Sequence, residues 1–368
     1  MTSSEQHYGV PHSTNGGLTL VPMPGYDEFA KTIRDIIEAK GKTSTDRQTN
    51  VDIAIPKFGL RPSHECFPRL GKKHVGGHDC YIITSGPGTN DMLMKLIYLV
   101  GILAARKASR INIVSGYFPH SRSDKDEGEE EIAIPPIIVD ALHGVAQGLL
   151  KRIICADPHS LQVSMADDPG VITSIFLTEK ILGQLLSDAE AGGYKRICLA
   201  FPDDSACKRY EKAIEATEKR LGHSLSVVVT FARRKSSRDK RVKYIVGDTE
   251  DLKDALVIAL DDETATGGSQ INAAHEFVQK YGAKEVWAAV THGVLCENAP
   301  KLFSANDCPI SRLYVVDTIP VSGRAELEPL SESGRLRTIS WARDIALVIY
   351  DDHWNESIRG NRSFSDRS

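Results

Sequence analysis

The run Val257-Ile258-Ala259-Leu260-Asp261-Asp262-Glu263-Thr264-Ala265-Thr266-Gly267-Gly268-Ser269 leads an apolar strand into paired carboxylates and then into a Thr-Gly-Gly-Ser loop that opens a helix. Glycines let main-chain N–H groups wrap an anion, the Thr266 and Ser269 hydroxyls add donors, and a helix N-terminus adds partial positive charge. That is chemistry for one phosphate monoester. Vicinal hydroxyls present paired donors that Asp261 and Asp262 can accept, which suits a ribose. Taken alone, Thr-Gly-Gly-Ser reads first as a helix-capping turn. Side-by-side acids at a strand end are costly unless a ligand or cation uses them, so the whole segment favours binding.

Other candidates lie on turns. His159 follows a strand in Ala156-Asp157-Pro158-His159, Arg122 lies in Tyr117-Phe118-Pro119-His120-Ser121-Arg122-Ser123-Asp124-Lys125, and Arg233-Arg234-Lys235 is a basic run after a strand. Each has a plain structural reading: a satisfied strand-end histidine, a solvated loop arginine, and a basic loop.

Strand candidates are 51–55, 80–84, 110–115, 152–156, 196–201, 225–231, 256–260, 285–290, 313–316 and 338–340, rich in β-branched and apolar residues. Amphipathic helices are expected at 136–147, 178–191, 208–221, 270–281 and 342–350. The clearest one follows Thr89-Asn90, a candidate cap, with Met92, Leu93, Leu96, Ile97, Val100, Leu103 and Ala104 at three- and four-residue steps. Strand and helix in alternation indicate mainly parallel sheets covered on both faces, and the two halves are alike in pattern. Ligands in such folds sit beyond the carboxyl ends of the strands. Met1–Gly17 and Ile358–Ser368 read as loose ends, and the domains are expected at 18–172 and 173–357, joined near Gly170–Leu177.

The chain has 368 residues, a prior of two or three domains, and 45 basic against 49 acidic side chains, a net charge of −4. Without a basic field, nucleic acid is excluded as a first partner and phosphate binding should be confined to a pocket. The seven cysteines are scattered, with no zinc-type spacing, as expected of reduced thiols in a cytoplasmic protein. No signal peptide is apparent. The longest apolar stretch, Leu96–Ala105, is far short of the roughly 20 residues of a membrane span.

Together these segments resemble the ribose-phosphate diphosphokinases (phosphoribosyl pyrophosphate synthetases) over most of the chain, roughly Lys57 to Tyr350. Gly86-Pro87-Gly88-Thr89-Asn90-Asp91, Tyr117–Lys125, Ala156–Gln162, Phe201-Pro202-Asp203-Asp204, Thr291-His292-Gly293-Val294-Leu295 and Val316-Asp317-Thr318-Ile319-Pro320 follow that family's motifs in order and spacing. The resemblance implies an α/β fold of two tandem type I phosphoribosyltransferase-like domains. It implies Mg2+-dependent transfer of diphosphate from ATP to the C1 hydroxyl of ribose 5-phosphate. It assigns Glu65, Arg122, Ser123, Asp124 and His159 to ATP, and His159 and Asp203 to the metal. Asp261, Asp262, Ala265, Thr266, Gly267, Gly268 and Ser269 fall to ribose 5-phosphate, and Arg233, Arg234 and Lys235 to catalysis. A homo-oligomer is implied, with the adenine site near a subunit interface.

Departures from the pattern are His64 in place of a glycine beside Glu65, Arg233 where the family has lysine, Ala265 where it usually has an acid, and the acidic run Asp126–Glu131. The stretch Phe201–Tyr210 is similar to the plant-type, phosphate-independent branch. These departures keep open a second reading, a catalytically weak or inactive synthetase-associated regulatory protein in a mixed oligomer. A phosphoribosyltransferase that consumes the activated sugar is a third, disfavoured because such enzymes are about one domain long.

Overall fold

A computed structural model of the chain describes residues 13–43, 47–85, 89–126, 129–236 and 239–361. They form two compact units: one runs to Ser174 and resumes at Ala342, and the other is Ile175–Trp341.

The first unit contains β1 (Leu18–Pro22), α1 (Asp27–Thr43), β2 (Val51–Ile53), β3 (Lys57–Leu60), β4 (Cys66–Arg69), β5 (Asp79–Thr84), α2 (Asn90–Ala105), β6 (Arg110–Ser115), α3 (Pro135–Ala146), β7 (Leu150–Ala156), α4 (Leu161–Ser164) and β8 (Ile172–Ile175), which ends on the boundary. The second contains α5 (Thr178–Ala191), β9 (Ile197–Phe201), α6 (Asp204–Leu221), β10 (Ser226–Ser236), β11 (Asp239–Val246), β12 (Leu256–Thr264), α7 (Gly268–Gln279), β13 (Glu285–Gly293), α8 (Ala299–Ser304), β14 (Ile310–Val316), α9 (Glu328–Glu332) and β15 (Leu336–Ile339). Helix α10 (Ala342–His353) returns to the first unit.

The first sheet has the order β2-β1-β5-β6-β7-β8, with parallel pairing from β2 through β7. Its central strand β5 is buried at every residue, as a strand covered by helices on both faces must be. Strands β3 and β4 form a separate antiparallel hairpin. The second sheet has the order β11-β10-β9-β12-β13-β14-β15 and is parallel apart from the β10–β11 pair. Its core includes Val257, Ala288, Val290, Leu313, Phe277 and Phe303. Each large apolar side chain so buried contributes about 1.5–3 kcal/mol.

Helix α10, assigned from sequence to the second domain, is held in the first unit by a buried polar network. The Asp352 carboxylate accepts from Arg110 Nη2 at 2.7 Å, Arg152 Nε at 3.0 Å and the Tyr81 hydroxyl at 2.6 Å. Next to it, His353 Nδ1 is 3.0 Å from Asp79 Oδ2, and Asn112 donates to the other Asp79 oxygen at 2.8 Å. Burial and the charges of Asp79 and Asp352 push the Tyr81 hydroxyl well above its usual range.

Several sequence expectations shift. Leu18–Pro22 and Asp27–Thr43 form β1 and α1, which the pattern reading did not assign. The unit boundary at Ser174–Ile175 falls inside the expected junction 170–177, where strand β8 takes the place of a linker. Helix α6 begins at Asp204 rather than Lys208, because Asp203 caps it: its carboxylate accepts from Ala206 N at 2.8 Å. Thr89 does occupy the N-cap of α2, but its side chain makes no capping bond. The C-terminal end is partly ordered by a short 3-10 turn at Arg359–Asn361.

Candidate functional site

In the second unit, β12 does not stop at Leu260 but runs to Thr264, carrying Asp261, Asp262 and Glu263 into the sheet. Its side chains alternate: Leu260, Asp262 and Thr264 are buried, whereas Ala259, Asp261 and Glu263 are half-buried on the opposite face. Asp262 faces α6, where Arg209 Nη2 lies 3.6 Å from its carboxylate. The Asp262 amide donates to Asp261 Oδ1 at 2.9 Å. Burial first, then the charge of Asp262 and that of Asp203 further off, push the Asp261 carboxyl up to about 8. Asp203 ends the loop after β9, the parallel neighbour of β12. Three acids thus meet at the carboxyl ends of two adjacent strands.

The loop that follows is shaped by Gly267. Its φ of +76° is left-handed, and a Cβ there would lie 2.5 Å from the Phe303 ring, so only glycine fits. A Cβ on Gly268 would meet nothing within 4 Å, leaving open space in front of the loop. Gly267 is the N-cap of α7 and no side chain caps the helix. The Thr-Gly-Gly-Ser turn does open α7, with Gly267 at its N-cap, but Thr266 and Ser269 are exposed and no side-chain cap occupies the first-turn amides. Such a turn can receive an anion.

Two late motifs buttress this loop. Leu295 N donates to Thr264 O and Cys296 N to Ala265 O, both at 3.0 Å. Arg324 donates to the carbonyls of Gly293 at 3.3 Å and of Val294 and Leu295 at 2.9 Å, tying down the segment from the other side. His292 Nδ1 is 2.9 Å from Thr318 Oγ1, whose hydroxyl donates to Thr291 O at 2.8 Å. The stretches 291–295 and 316–320, far apart in sequence, are thereby joined. Arg209 and Arg324 were not singled out from sequence; an arginine 53 residues from the acid it faces, or 29 to 31 from the carbonyls it holds, carries no local signal of its partner.

The predicted catalytic residues lie on the antiparallel hairpin. Pairing of β10 with β9 ends at Val229↔Phe201, and beyond it Arg233 pairs with Arg241 and Arg234 with Lys240, with Lys235 next along β10. The side chains of these residues lie outside the described part of the structure.

In the first unit, the loops after β5, β6 and β7 emerge from the carboxyl ends of adjacent parallel strands. Gly86, Pro87 and Gly88 lie outside the described residues, as do Glu127 and Gly128 of the acidic run. Arg122 and Ser123 are exposed and Asp124 is half-buried, in a turn where Ser123 N donates to His120 O at 2.9 Å. Among the described residues, the buried Ser121 Oγ beside Arg122 has no hydrogen-bond partner, and neither does Ser160 Oγ next to half-buried His159. Glu129, Glu130 and Glu131 are exposed, and Asp126 accepts from Ala133 N at 2.8 Å. Glu65 lies exposed in the β3–β4 turn, its carboxylate accepting from Ser63 Oγ at 2.8 Å. His64 there has φ +63°, a left-handed conformation that a glycine would adopt without strain.

Two units built on mainly parallel sheets, with an uncapped Gly-Gly turn after an acidic strand end, define a protein of the tandem type I phosphoribosyltransferase-like fold. The phosphoribosylpyrophosphate synthetase of Mycobacterium smegmatis has this fold: its crystal structure matches with a TM-score of 0.72 at 23% identity, covering 92% of this chain and 99% of that one. The ribose-phosphate pyrophosphokinase of Rhodopirellula baltica is 32% identical over 303 residues, 82% of this chain and 88% of the relative. The chain belongs to the ribose-phosphate pyrophosphokinase family of enzymes. Residues 26–143 match the family model for the N-terminal domain of ribose phosphate pyrophosphokinase. Ribose-phosphate pyrophosphokinase A of Dictyostelium discoideum is 26% identical over 317 residues, 78% of this chain and 89% of that one. Among the described residues, no helix is long and apolar enough to cross a membrane.

Proposed function

We propose that the protein transfers the diphosphoryl group of ATP to the C1 hydroxyl of ribose 5-phosphate, forming 5-phosphoribosyl 1-diphosphate and AMP. The carrying observation is the uncapped first turn of α7 beside the Asp261–Asp262 strand end. Amides of the turn, with Thr266, Gly267, Gly268 and Ser269, hold the 5-phosphate, and Ala265 contributes main chain only. Asp261 and Asp262 accept from the ribose hydroxyls. The C1 oxygen forms a bond to the β-phosphorus, the bond from the β-phosphorus to the oxygen bridging it to the α-phosphorus breaks, and AMP departs with that oxygen while the hydroxyl proton passes to solvent. Arg233, Arg234 and Lys235 stabilise the charge on the transferring group.

Arg122, Ser123, Asp124 and His159 serve the nucleotide, with the unpartnered hydroxyls of Ser121 and Ser160 as further donors. Glu65 reaches the adenine of a neighbouring copy in a homo-oligomer. The acids at the strand ends suit Mg2+: carboxylate oxygens crowded by burial and by one another, with Asp261 pushed up by burial first and then by Asp262, fit a hard dication. The family resemblance gives the metal roles to His159 in the first unit and Asp203 in the second, although Asp203 also caps α6. When bound, Mg2+ neutralises triphosphate charge. A cytoplasmic location fits this chemistry. Incubation with ATP, Mg2+ and ribose 5-phosphate should release AMP; ribose 5-phosphate binding without AMP release would support the regulatory reading instead.

A further inference from the structure

Beneath the phosphate loop, a cavity of about 420 Å3 opens between α7 and the ends of β9 and β12. It shares Asp261 and Ser269 with the loop, but Asp262, Thr266, Gly267 and Gly268 do not line it. Ala200, Phe201, Ala259, Leu260, Ala273 and Phe277 form the apolar part of its wall, and Thr230, Gln270 and Asn272 add uncharged polar groups. The paired positions Ala200↔Ala259 create the room, since two small side chains sit opposite each other on the strands facing the helix.

Both amide atoms of Gln270 on this wall are shielded from solvent and have no hydrogen-bond partner among the described residues. A buried amide left unpaired is costly, so a side chain kept in this state points to something that pairs with it. The charged groups lining the cavity are carboxylates, Asp261 and Glu276; no lysine, arginine or histidine is among its described lining residues. A phosphate ester is therefore disfavoured inside it, in contrast to the adjacent loop.

Of the two primary amides on the wall, Gln270 and Asn272, the unpartnered Gln270 beside the apolar side chains matches a flat heterocycle that offers a donor and an acceptor side by side. The amide of glutamine pairs in this way with the N6 donor and N7 acceptor of adenine. The volume falls within the range of small-molecule pockets. We propose that this cavity is a second ligand site that takes a 6-aminopurine without phosphate, as base or nucleoside, read by Gln270. Because Asp261 and Ser269 border both sites, the occupant would bear on the phosphate loop.

Calorimetric titration of the full-length protein with adenosine, without ATP or metal, tests this. Saturable binding is expected, weakened about tenfold or more in Gln270→Leu, which removes both hydrogen bonds at similar volume. Ala273→Leu, which fills the slot, should abolish it. Inosine, with acceptors at both O6 and N7, should bind about tenfold more weakly than adenosine to the unaltered protein. Gln270→Leu should also raise the melting temperature of the ligand-free protein, since it removes an unsatisfied buried amide; this shows that the variant folds. No adenosine binding, or adenosine binding unchanged in both variants, would overturn the proposal.

Discussion

Arg209 on α6 places its guanidinium 3.6 Å from the carboxylate of Asp262 on β12. It brings positive charge to one member of an acid pair whose other member, Asp261, is pushed up to about 8 by burial and by Asp262. The two adjacent acids are thus held in different electrostatic surroundings by opposite faces of one strand. Arg209→Ala should raise the KM for ribose 5-phosphate roughly tenfold, with Arg209→Lys recovering much of the loss. Steady-state kinetics on the three proteins checks this, and an unchanged KM in Arg209→Ala removes the residue from the site.

The same pair sets a pH dependence. The folded value of Asp261, about 8, lies above the usual 3.8. Its contribution is therefore fully present below about pH 4 and is lost as pH rises through about 8, because the unfolded chain releases this proton first. Asp261→Asn should flatten the fall in melting temperature between those limits, as followed by thermal denaturation across the range. Equal slopes for both proteins would contradict the assignment.

The neighbouring glycines should separate stability from binding. Gly267→Ala forces a Cβ against Phe303 in a left-handed backbone and should destabilise by about 1–3 kcal/mol in urea denaturation. Gly268→Ala meets no protein atom within 4 Å, so stability should hold while ribose 5-phosphate affinity falls about tenfold as the methyl enters the open space. Loss of affinity in neither variant would place the phosphate elsewhere.

Much of this arrangement is legible in the chain. The buried strands β5, β6, β9, β12 and β13 announce themselves as short apolar runs, and the Gly267–Gly268 turn by its composition. Helix α1 escapes because its apolar positions are interleaved with charges such as Lys31, Arg34 and Asp35. The return of α10 to the first unit depends on Asp352 meeting Arg110 and Arg152, pairings about two hundred residues long that no local pattern encodes. Asp203 reads as a metal ligand from its motif, yet its immediate structural task is to cap α6.

Arg324 illustrates the same point with a functional consequence. Its three bonds to the carbonyls of Gly293, Val294 and Leu295 support the segment that in turn holds Thr264 and Ala265. Arg324→Ala should raise the ribose 5-phosphate KM several-fold with a smaller effect on the KM for ATP, because the loop it supports carries the sugar phosphate. Comparable increases in both constants would indicate a general loss of structure.

The central claim is diphosphoryl transfer to ribose 5-phosphate. Phosphorus NMR of the protein with ATP, Mg2+ and ribose 5-phosphate reads it directly: AMP and a diphosphate ester of the sugar should appear in equal amounts, and neither should form when the pentose phosphate is omitted. AMP without the sugar diphosphate, or no change in ATP at high protein concentration, would contradict it.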